Sequence, residues 1–223
     1  MKRTIVAVLC LLSVVCVQAQ KNEYYNTKHE VGLSVGYLSN TTIFGFFTDI
    51  TEILLTATLT TVGTGGTFTG HPSYGDESYI PTISAEYFYH VNPWLGVGGF
   101  LAFTGLDRDM YGNWQDNVTG NVEKKLCGKA MRRNFSLIPT AKFDYLRTKY
   151  FGMYSKLGVG ASMMFESQQE DYEGGTNHEN TIILPNFQIS LLGMEFGSEQ
   201  IRGFAELGVG EQGYALAGVK YKF

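Results

Sequence analysis

Apart from its first residues, this chain of 223 residues is almost without cysteine: Cys10 and Cys16 lie in an N-terminal apolar run, and only Cys127 stands in the remainder. A lone cysteine makes no internal disulfide, which excludes a disulfide-stapled exported domain. Basic residues are scarce as well. Without Lys2 and Arg3 the chain carries 15 Lys and Arg against 21 Asp and Glu, a net charge of −6, and this argues against a nucleic-acid partner. After the N-terminal run, no apolar stretch reaches the roughly 20 residues that a membrane-spanning helix needs. No G-x-G-x-x-G or phosphate-loop context, zinc cluster or heptad repeat occurs, and no cofactor or metal is expected.

The N-terminus has the three parts of a secretory signal: Lys2 and Arg3, the apolar "TIVAVLCLLSVVCV", and "VQA" before Gln20. The expected organisation is a cleaved signal peptide at 1–19 and one domain at 20–223. An uncleaved anchor is disfavoured because the apolar run is too short. A lipid anchor on Cys16 is disfavoured because Val15 stands where a small residue is required.

What the chain has in place of long apolar runs is a period of two. In "EVGLSVGYL", Val31, Leu33, Val35 and Tyr37 alternate with Glu30, Gly32, Ser34 and Gly36, and "ALAGVKYKF" repeats the device at the other end. The pattern predicts strands near 29–38, 78–90, 94–107, 132–146, 150–166, 181–197, 201–210 and 213–223. "HVNPW", "LRTKY" and "GSEQI" read as tight turns, whereas 40–77, 108–131 and 167–180 read as long loops rich in Gly, Asn and charge. Short and long links thus alternate, as they do in a transmembrane barrel with short periplasmic turns and long external loops. The expected fold is all-β: an antiparallel up-and-down transmembrane β-barrel of about eight strands.

The signal sequence, the phrases "YFYHVNPWLGVGGFLAF", "YFGMYSKLGVGA" and "GMEFGS", and the closing "GFAELGVGEQGYALAGVKYKF" together resemble the small outer-membrane β-barrel proteins of Gram-negative bacteria. The resemblance covers nearly all of residues 20–223. It implies residence in outer-membrane lipid and passage through the barrel-assembly machinery, with Phe223 and Tyr221 of the last strand as the assembly signal.

In such a barrel the apolar face points to lipid and the polar face to the lumen. Alternation puts Leu95, Val97, Leu101, Phe103, Phe135, Leu137, Leu157 and Val159 on one face. The other receives Glu86, Lys142, Asp144, Lys156, Glu206 and Lys220, interspersed with Gly96, Gly98, Gly158, Gly160, Gly208 and Gly218. A narrow eight-stranded barrel is filled by side chains, so these charges are expected to form a lumen network. Tyr87, Tyr89, Tyr145, Phe151, Tyr221 and Phe223 fall near the tight turns, as an interfacial girdle would. A soluble lipocalin-like barrel, with its apolar face inward, is the alternative.

The segment 41–62 fits the pattern poorly. It reads either as a short amphipathic helix in the first long loop or as an extra strand pair. The histidines offer no catalytic pattern: His29 starts the first strand, His90 reads as a turn residue beside Asn92, and His71 and His178 fall in loops, none with a nucleophile at recognisable spacing. The expected function is a non-enzymatic envelope protein whose loops meet an unknown extracellular ligand. Tyr111 and Trp114 in "DRDMYGNWQDN" are the candidate recognition residues. The competing functions are a porin-like conduit for small apolar molecules and, further off, an outer-membrane hydrolase.

Overall fold

The computed structural model describes residues 27–43, 73–115, 122–170 and 177–223. Side chains alternating along the chain favour extended backbone, and eight strands form: β1 (His29–Tyr37), β2 (Ser73–Asn92), β3 (Leu95–Gln115), β4 (Val122–Arg147), β5 (Phe151–Glu170), β6 (His178–Gly197), β7 (Ile201–Gly210) and β8 (Ala215–Lys222). Each pairs antiparallel with its sequence neighbour, and β1 also pairs with β8, so the sheet closes into a barrel. The β1–β8 seam runs from Glu30 opposite Lys222 to Tyr37 opposite Ala215. Reciprocal backbone hydrogen bonds between His29 and Phe223, 2.8 and 2.9 Å, extend it. Closure leaves no edge along this part of the wall, so every ladder group there has a partner.

The links at one end are short, at 93–94, 148–150 and 198–200; at the other end lie 38–72, 116–121, 171–177 and 211–214. The loop expected at 108–131 is therefore mostly strand, and the one expected at 167–180 is strand at both its ends. β3 continues to Gln115, β4 begins at Val122, β5 reaches Glu170 and β6 starts at His178. Along these extensions polar and apolar residues do not alternate, so the sequence resembles a loop. Of the segment 41–62, only its start is described: residues 40–43 make one helical turn, closed by Ile43 N–H donating to the Ser39 carbonyl (3.1 Å), and the remainder lies outside the described residues. No helix among the described residues is long and apolar enough to cross a membrane.

The wall is uneven. β2 to β6 hold 20, 21, 26, 20 and 20 residues, whereas β1, β7 and β8 hold 9, 10 and 8. β1 pairs only with Thr82 to Tyr89 of β2, and β7 only with Gln188 to Gly197 of β6. Past that level β2 to β6 continue as a five-stranded sheet. Among the described residues, 73–81 of β2 and 178–186 of β6 have no strand on their outer side.

Burial follows the alternation. Leu101, Leu137, Leu157, Val159, Leu191 and Val219 point outward and are at least half exposed. Ser34, Ser84, Glu86, Lys142, Lys156 and Lys220 point inward and are buried. The loop-end limit of the apolar band is marked by Phe103, Phe135 and Phe165, whose rings follow one another at 4.9 and 6.0 Å. At the short-turn end, Tyr87, Tyr89, Trp94, Tyr221 and Phe223 are exposed. Tyr221 stacks on Phe223 at 5.7 Å, and Phe223 on His29 at 5.2 Å.

Candidate functional site

The lumen is the site, and it has two tiers. The tier nearer the short turns is ionic. Lys142 Nζ donates to both oxygens of Glu30 (2.7 and 2.9 Å), and Lys220 reaches Glu30 at 3.0 Å and Glu195 at 3.3 Å. Lys156 joins Glu86 (2.8 Å) to Glu206 (2.7 Å), and the Tyr154 hydroxyl donates to Glu206 at 2.6 Å. Glu195 accepts from Arg202 at 2.7 Å and also from Lys222. Lys142 and Lys220 lie over the Tyr154 ring at 4.2 and 4.4 Å, and Lys220 lies over Phe204 at 4.3 Å. Glu30, Glu86, Asp144, Glu195 and Glu206 are thus matched by four lysines and Arg202, all buried. Unpaired, any one of these charges would be very costly in such a place; paired with opposite charge, the cost is offset.

His90 belongs to this tier. It stands on β2 with its ring fully buried, Nε2 3.4 Å from Glu30 and Nδ1 3.3 Å from Asp144. The turn position expected for it is wrong, because β2 runs on to Asn92 and shifts register between His90 and Asn92. With carboxylates on both sides and no nucleophile among these contacts, its geometry is that of a network member. Among the described residues no group of three or more His, Cys, Asp or Glu could hold a metal ion.

In the tier nearer the long loops, one buried carboxylate, Glu211, is met by uncharged groups. The 211–214 turn does not project outward: Glu211 and Gln212 are fully buried inside the barrel. Two glycines allow this fold. Gly213 has φ +112°, a value side chains rarely adopt, and a Cβ at Gly36 would fall 1.7 Å from the Gln212 carbonyl oxygen. Gln212 links the tiers, with its N–H donating to Gln188 Oε1 (2.8 Å), its Nε2 to Ser84 (3.0 Å), and its Oε1 accepting from Lys156 (2.9 Å). Glu211 accepts from Asn134 Nδ2 (2.5 Å) and Ser136 Oγ (3.0 Å) on one oxygen. Its other oxygen accepts from Asn186 Nδ2 (2.7 Å), Thr41 N–H (3.3 Å) and the Thr41 hydroxyl. Beside Thr41 and Asn134 remains a void of about 20 Å³, enough for a water.

At the short-turn rim Arg202 acts as a staple. Its guanidinium donates to the carbonyls of Thr148 (2.7 Å), Lys149 (3.0 Å) and Ser198 (3.0 Å), tying the β4–β5 and β6–β7 turns together. Arg147 reaches across to the Thr27 carbonyl at 2.8 Å.

The six charged residues named from sequence, Glu86, Lys142, Asp144, Lys156, Glu206 and Lys220, all point into the ionic tier, with the contacts given above. Glu30, His90, Glu195, Arg202 and Lys222 join them without having been singled out, and so does Tyr154. Simple alternation could have found Glu30 and Lys222, which sit on the inward face. Tyr111 and Trp114 are not loop residues: both stand in β3, opposite Leu126 and Glu123 of β4. His71 lies outside the described residues, and His178 begins β6.

No family model matches the chain, and neither does any curated protein sequence. Among solved structures, two of Ail, the attachment invasion locus protein of Yersinia pestis, are similar. One, in complex with the heparin analogue sucrose octasulfate, aligns at a TM-score of 0.42 and 14% identity, covering 88% of this chain and 99% of that one. The second aligns at 0.40 and 13%, covering 88% and 97%. At such identities the likeness concerns the fold alone.

Proposed function

We propose that this protein is a non-enzymatic integral β-barrel of a Gram-negative outer membrane, closed through its lumen, which presents its extended strands to the exterior. The observation that carries this reading is the inverted distribution of polarity: large apolar side chains are exposed around the barrel while carboxylates and lysines are buried within it. In water the same distribution would expose a wide apolar surface and bury charge, each unfavourable; in lipid both arrangements are appropriate. The aromatic residues at the short-turn end suit a headgroup interface. A signal peptide at 1–19 and recognition of Tyr221 and Phe223 by the barrel-assembly machinery belong to the same proposal, as does membership of the small outer-membrane barrel family.

The lumen argues for a closed scaffold over a conduit, since the ionic tier and the inserted 211–214 turn fill it in succession. The interaction surface then falls to the sheet formed by β2 to β6 beyond the apolar band. The test is to express the full chain in a Gram-negative host, fractionate the membranes, compare gel mobility with and without boiling, and record from planar bilayers. Outer-membrane recovery, a heat-dependent mobility shift and no steady conductance are expected. Recovery from the soluble periplasm would overturn the membrane assignment, and steady conductance would overturn the closed lumen.

A further inference from the structure

The surroundings of Glu211 are unlike those of every other buried acid in the barrel. The five donors on its carboxylate come from Thr41, Asn134, Ser136 and Asn186, and none carries a charge. N–H groups, which can only donate, point at both oxygens: Asn134 Nδ2 at one, Asn186 Nδ2 and Thr41 N–H at the other. The amide of Asn186 is held in this sense because its Oδ1 accepts from Phe187 N–H at 2.8 Å. Behind these donors Ser136 and Ser162 share a hydrogen bond of 2.7 Å, and Ser162 accepts from Asn186 at 2.7 Å. The donors come from β4, β6 and the helical turn at 40–43, with Ser162 of β5 behind them, so the ring is assembled by the barrel and not by the turn that bears Glu211.

We propose that the outer mouth of the barrel is a receptor site for a carboxylate group, filled in cis by Glu211. Its ligand class is the small monocarboxylate, because the ring satisfies both oxygens of one carboxylate and holds no cation. The short tether of the 211–214 turn gives Glu211 a very high effective concentration, so free carboxylates do not displace it in the native chain. With the tethered acid removed, the site is open to an untethered one. The proposal depends on the ring alone and stands whichever membrane holds the barrel.

The experiment uses the full-length protein refolded in detergent micelles, as wild type, Glu211→Ala and Glu211→Gln. The midpoint of heat unfolding is read by gel mobility while sodium acetate replaces sodium chloride at constant ionic strength. Glu211→Ala is expected to unfold at a lower temperature in chloride and to recover at least half of the loss in acetate, while wild type does not respond. Glu211→Gln, whose amide occupies the ring, is expected to be weakened yet indifferent to acetate. Equal responses from all three proteins, or none from Glu211→Ala, would overturn the proposal. Should Glu211→Ala fail to refold in chloride, its refolding yield is measured with acetate present: recovery supports the carboxylate site, and failure in both salts rejects it.

Discussion

The two tiers of the lumen solve the same problem by different means. Both hold buried polar groups on inward-facing strand positions, and both link strands far apart in sequence. In the ionic tier carboxylates are met by charged partners, and Glu30 of β1 touches both Lys142 of β4 and Lys220 of β8. In the neutral tier a single acid is met only by hydroxyl and amide donors. Charged partners in a low-dielectric space interact more strongly than neutral ones, but they leave a costlier remnant when one is removed. The ionic tier should therefore resist loosening yet fail sharply, whereas the neutral tier should weaken by degrees.

Five changes would break or sharpen that contrast. The largest effect is expected from Lys220→Ala, which leaves Glu30, Glu86 and Glu195 short of one cation; chemical unfolding in micelles should show a loss of about 3–5 kcal/mol. Combining Lys156→Met with Glu206→Gln should cost less than the two single changes added together, by about 1 kcal/mol or more, because the pair is removed whole. Next comes Gly36→Val. Its side chain collides with the Gln212 carbonyl, and expulsion of the turn should cost about 1–3 kcal/mol and make the turn cleavable by added protease. Ser136→Ala, which removes one neutral donor from Glu211, should cost about 1 kcal/mol in the same unfolding measurement. Smallest is Lys149→Ala at the exposed pair with Glu199, 3.3 Å apart, where about 0–1 kcal/mol is expected, falling with added salt. An equal response from Lys220→Ala and Ser136→Ala would erase the distinction between the tiers.

Most of the architecture was legible because an apolar outer face and a filled lumen impose a strict period of two. The seam, the tight turns and six of the lumen charges follow from that period. What escaped lies where the period breaks. Along β6, Asn186, Gln188 and Ser190 face inward, but a register shift between Ser190 and Leu192 moves the inward set to Gly193 and Glu195, so counting by twos sends Glu195 outward. Arg147 follows a similar shift in β4 between Asp144 and Leu146. Glu211 sits in a turn, where no periodicity applies, and only the glycines at 210 and 213 hint that the turn folds inward. The extensions of β3 and β4 read as loop because their polar and apolar residues follow no period of two.

The uneven wall has a further consequence. A barrel of equal strands looks the same from every side around its axis, but here β7, β8 and β1 stop at the apolar band while β2 to β6 continue past it. The molecule therefore has a front and a back. Among the described residues, the low side leads to the mouth and the inserted turn, and the high side to the outer faces of β3, β4 and β5. Rotation decides which aspect is presented, so contact with anything larger than the barrel becomes a matter of orientation as well as affinity.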